Sequence, residues 1–129
     1  MEMKNILPKR ISFKAFLFPS ILLLALAACK AFSVLEPPGV GEQAERGYAV
    51  CDPIIAALEQ YKADKSEYPE ALEELMPGYL PDVPTKVNDE EITYIKTGES
   101  FSLAFHYVGP GVNTCIFTPE DKWQCSGYY

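Results

Sequence analysis

Histidine occurs once in this 129-residue chain, at His106, and tryptophan once, at Trp123. Four cysteines are present, and no two form a close pair. One histidine with that spacing does not fit a zinc site. Basic residues number only 11 against 18 acidic ones, a net charge of −7. Such a balance disfavours nucleic acid as a partner. The glycines are scattered and make no phosphate-cradling loop. Glu73-Glu74 and Asp89-Glu90-Glu91 read as solvated charge runs rather than as an acid–base pair. Asn113, Glu120 and Asp121 are the candidate oxygen ligands for calcium, with a solvated turn the preferred reading. No catalytic residue, metal or cofactor is therefore expected, and the chain does not read as an enzyme.

What the chain does have comes first at its start. Lys4, Lys9, Arg10 and Lys14 precede an apolar run from Phe16 to Leu26, followed by Ala27-Ala28-Cys29. The run is shorter than the roughly 20 residues that span a bilayer as a helix. Pro19 also interrupts it. Basic head, short apolar core and small-residue exit are the plan of a signal peptide. Leu26-Ala27-Ala28-Cys29 resembles the lipobox of bacterial lipoproteins. That resemblance implies acylation of the Cys29 thiol and cleavage before it. Residues 1–28 are then a removed leader, and Lys30 leans towards the outer membrane, facing the periplasm or the cell surface. An uncleaved helical anchor from Ile11 to Ala28 is the alternative.

The leader carries four of the basic residues and one acidic residue, leaving seven against 17, net −10. Residues 29–41, with Pro37-Pro38-Gly39, read as a tether. Residues 42–129 read as one small domain. From Glu42 to Lys65, Ala44, Tyr48, Cys51, Ile55, Leu58 and Lys62 recur at helical spacing, with Ile54 and Tyr61 beside them. Pro53 predicts a kink there, or a helix start capped by Asp52. Pro69 opens a short helix with Leu72 and Leu75 inward, stopped by Pro77-Gly78. Residues 81–90 read as a loop. Strands are predicted at Ile92–Lys96, Phe101–Val108, Val112–Thr118 and Lys122–Ser126. Phe101, Leu103, Phe105 and Tyr107 share one face, so His106 points outward. The fold expected is α+β, one helix packed across an antiparallel meander of three to four strands.

Cys115 and Cys125 flank a Pro119-Glu120-Asp121 turn and are expected to face each other on two strands as a disulfide. Cys51 is left as a buried, apolar thiol. Trp123 shares a face with Cys125 and could cover the disulfide. Tyr128 and Tyr129 either pack back on the sheet or join Trp123 in an exposed binding surface.

Residues 56–69, Ala-Ala-Leu-Glu-Gln-Tyr-Lys-Ala-Asp-Lys-Ser-Glu-Tyr-Pro, resemble the helix end and following turn of type II secretion pseudopilins and type IV pilins. Asp64, Tyr68 and Pro69 match an Asp-x-Gly-x-Tyr-Pro pattern, and Ser66 stands at its glycine. Leu72, Leu75, Tyr79, Leu80, Pro81 and Tyr94 extend the resemblance, which covers roughly residues 44–108. It implies a pilin-like head. The chain departs from the family at its start: no glycine precedes the hydrophobic run, and no acidic residue lies between Lys4 and Cys29. Ordinary filament assembly is therefore not expected. The reading is a lipid-anchored structural or interaction protein of the cell envelope, with secretion or pilus machinery as the kind of partner. A ligand-binding module using an aromatic sheet face is the alternative.

Overall fold

The computed structural model describes residues 36–128. The expected lipidation site Cys29, the expected leader, most of the expected tether, Tyr129 and the side chain of Tyr128 lie outside the described residues. Helix α1 spans Glu42–Lys65. Glu42 and Glu45 occupy its first turn, Lys62 and Lys65 its last. Both pairs complement the helix dipole. Arg46 pairs with Glu42 one turn back. The helix ends at Ser66, whose backbone is left-handed at φ 69° and whose N–H donates to the Lys62 carbonyl at 2.8 Å.

The helix runs through Pro53, so Asp52-Pro53 does not start it. The turns before Pro53 are held by burial of Ala44, Gly47 and Cys51 against the sheet. That burial offsets the backbone hydrogen bond that an interior proline removes. The buried stripe is Ala44, Gly47, Cys51, Ile54, Ala57 and Leu58. Ile54, rather than Ile55, is thus the fully covered isoleucine.

A 3-10 turn, Leu72–Leu75, follows. Pro69 precedes this turn and is itself buried. Leu75 is buried and Leu72 half-buried. The Glu74 carboxylate caps the segment, accepting from the N–H groups of Glu70 at 2.9 Å and Ala71 at 3.2 Å. Inside the stretch expected to be loop, β1 (Lys86–Val87) pairs with β2 (Glu90–Glu91). Asn88 and Asp89 between them both take positive φ, 52° and 65°. Asparagine and aspartate tolerate the left-handed region that such a two-residue connection demands. Strands of two residues carry no readable alternation.

Four strands form the main sheet: β3 (Thr93–Thr97), β4 (Ser100–Val108), β5 (Val112–Thr118) and β6 (Lys122–Tyr128). They pair in chain order, all antiparallel. Alternation on β4 buries Phe101, Leu103, Phe105 and Tyr107 beneath α1. Helix and sheet are tightly apposed at Gly47, where a Cβ would lie 2.1 Å from the Phe105 ring. Among the described residues the architecture is α+β as expected, with one α-helix, the small β1–β2 ribbon and the four-stranded meander. Among the described residues no helix is long and apolar enough to cross a membrane.

Candidate functional site

Three features could carry function: the disulfide and its cover, a groove beside β3, and the outer sheet face. Cys115 and Cys125 stand directly opposite in the β5–β6 register and are joined. What covers them is Tyr48 and Gly39. The Tyr48 hydroxyl lies 3.1 Å from Cys125 Sγ and 3.8 Å from Cys115 Sγ. It donates to the Gly39 carbonyl at 3.0 Å, while the Gly39 N–H donates to the Tyr107 hydroxyl at 2.8 Å. A Cβ on Gly39 would sit 2.8 Å from Cys125 Sγ. The segment before α1 is thus seated on the sheet at Gly39. Burial pushes the Tyr48 pKa up, with the neighbouring Tyr107 adding to it.

Trp123 is half-buried between α1 and the sheet. Its ring packs against Tyr48, Phe105 and Phe117 at centroid distances of 5.1, 5.3 and 5.5 Å. Its Nε1–H donates to Asp52 Oδ1 at 3.1 Å. The carboxylate expected to cap a helix therefore anchors the helix to β6 instead. Tyr128 pairs through its backbone with Val112. Cys51 is fully buried and free. Burial first, and the Asp52 charge second, push its thiol up to about 12. A thiol held neutral in this way is a packing group, not a nucleophile.

The calcium candidates do not converge. Asn113 lies near the start of β5 and donates to the Gly109 and Pro110 carbonyls at 3.4 and 3.5 Å. Glu120 is beyond the far end of β5 and accepts from the Ser100 hydroxyl at 3.0 Å. The Asp121 N–H donates to Thr118 Oγ1 at 3.1 Å. His106 faces outward as expected, half-buried, with Nδ1 2.9 Å from Thr114 Oγ1.

A groove of about 430 Å³ runs between the 3-10 turn, residues 82–85 and the start of β3. Leu72, Val83, Ile92 and Tyr94 line it, as do Glu70, Glu73 and Asp82. Tyr94 donates to the Pro69 carbonyl at 2.7 Å, and burial pushes its pKa up to about 12. Lys96 holds Glu70 at 2.6 Å and Glu67 at 3.2 Å. Glu74 beside the groove is fully committed, since it also accepts from Tyr61 at 2.9 Å. The Tyr61 hydrogen bond is the main reason its carboxyl is held below the ordinary range.

The outer sheet face faces away from α1. Thr93, Ala104, Ile116 and Gln124 form one row across it, and His106, Thr114 and Ser126 another. Ile95, Val108, Val112 and Ile116 are 55%, 62%, 54% and 41% exposed. Lys122 is the charged residue at these strand positions, and no carboxylate occupies any of them among the described residues. Glu120, in the β5–β6 turn, meets only the rim at Ser100. No family model, curated protein or solved structure matches the chain.

Sequence reasoning missed the groove and the Tyr48–Gly39 cover. Tyr48 lies on the helical stripe, which signalled burial but not its partner.

Proposed function

We propose that this chain is a lipid-anchored envelope protein whose pseudopilin-like head works as an interaction module, docking a second envelope protein on its outer sheet face. The observation that carries this reading is the charge segregation. The chain has 18 acidic residues, yet strands β3–β6 hold none, and the sheet face turned away from α1 exposes four aliphatic side chains. A face without carboxylates, whose exposed aliphatic side chains are set among serine, threonine and glutamine, is where another protein meets this acidic molecule at least desolvation cost. The aromatic face of the sheet is the one covered by α1, which favours an interaction head over aromatic ligand capture. Two features support the pseudopilin likeness: the helix followed by an antiparallel meander, and the left-handed backbone at the position where the family pattern has glycine. Secretion or pilus machinery is the partner this likeness points to, by analogy of fold alone.

The test is site-specific photo-crosslinking in the native host. A photoreactive residue at Ile95 or Ile116 is expected to give a discrete adduct with another envelope protein. The same residue at Ala63, on the exposed side of α1, is expected to give none. Absence of any adduct from the sheet positions, or equal labelling from Ala63, overturns the reading.

A further inference from the structure

The groove beside β3 combines apolar and acidic lining residues. Its floor is apolar, formed by Leu72, Val83, Ile92 and Tyr94. Its rim carries Glu73 from the 3-10 turn and Asp82 from the following segment. Among the described residues neither of these carboxylates makes a side-chain hydrogen bond or an ion pair, and no lysine or arginine lines the groove. Glu70 differs, because Lys96 already neutralises it. Met76 stands at the lip, 37% exposed. Methionine side chains adapt to the shape of a ligand.

We propose that this groove binds a segment of a partner protein in which one arginine or lysine is flanked by apolar side chains. The cation lies against Glu73 and Asp82, and the apolar neighbours cover Leu72, Val83 and Ile92. Charge complementarity picks the cation: uncommitted carboxylates beside low-dielectric walls attract more strongly than the same groups in open water. The floor picks the flanking residues, since covering it removes apolar surface from water. The volume lies in the ordinary range for binding sites, and the groove is partly open, so a chain can pass across it. The groove belongs to the side of the molecule away from the outer sheet face. Either surface can fail its test while the other stands.

The experiment uses the full chain in nanodiscs of zwitterionic lipid, labelled with nitrogen-15, and the peptide acetyl-Leu-Arg-Leu-amide. Saturable shifts are expected at the amides of Glu73, Val83, Ile92 and Tyr94. The Glu73→Gln/Asp82→Asn double variant is expected to bind about fivefold more weakly, the size of two partly exposed ion pairs. Raising the salt concentration weakens binding. Acetyl-Leu-Glu-Leu-amide and spermidine test charge and apolar contact separately, and both are expected to bind at least about fivefold more weakly than the arginine peptide. No shift at millimolar peptide, shifts centred elsewhere, or unchanged affinity in the double variant overturns the proposal. So does equal binding of either control. Both substitutions are at exposed positions, so the fold is retained in the variant.

Discussion

At position 66 the chain turns left-handed out of α1, φ 69°, and the residue there is serine. A side chain in that conformation costs roughly 1–2 kcal/mol relative to the right-handed one, and glycine avoids the cost. Ser66→Gly is therefore expected to raise stability by about 1 kcal/mol, measured by urea denaturation. An unchanged or lower midpoint would mean that Ser66 is not left-handed in solution. The resemblance to the pseudopilin pattern rests on Asp64, Tyr68 and Pro69; that Ser66 takes a conformation favouring glycine is visible only in the backbone. Gly39 is the opposite case. Its sequence context, after two prolines, reads as tether chemistry. Its actual constraint is the Cys125 sulfur that a Cβ would meet.

Among the elements, the β5–β6 hairpin was the most legible. Two cysteines, a Pro-Glu-Asp turn and alternating apolar residues all lie within a dozen positions, so register and disulfide followed from local spacing. Closing a loop of sequence separation 10 stabilises by roughly 2–3 kcal/mol through the unfolded chain. Cys115→Ser is expected to lose about that much. Cys51→Ser should lose roughly 1 kcal/mol, because a helical serine can bond back to the carbonyl one turn earlier. Equal melting temperatures for the two variants would count against the disulfide as a main support of the hairpin. Helix α1 was legible in extent but not at Pro53. Local chemistry there favours a boundary, and only the buried contacts of Ala44, Gly47 and Cys51 carry the helix through it. The β1–β2 ribbon was not legible, since two-residue strands have no period to read.

For the whole molecule, the main result is where charge is absent. The sequence shows an acidic chain whose last four strands hold no carboxylate; strand pairing and the cover of α1 show which of their side chains stay exposed. The proposed anchor belongs to the same scale. The native protein extracted from membranes is expected to have the mass of a chain beginning at Cys29 plus acyl groups, and to gain two hydrogens on reduction. A mass corresponding to the full chain leaves the head on a membrane helix, and a cut elsewhere without lipid removes the lipid anchor.

By itself the sequence determined the helix and the four strands of the main sheet in their order, the inward face of β4, the cysteine pairing and the outward direction of His106. Each of these depends on residues a few positions apart, so periodicity and turn chemistry suffice. Tertiary structure alone decided that Tyr48 and Gly39 cover the disulfide, that Asp52 holds Trp123, and that Leu72, Val83 and Ile92 share one groove. Those contacts join segments whose approach is set by packing, which periodicity and turn chemistry do not encode.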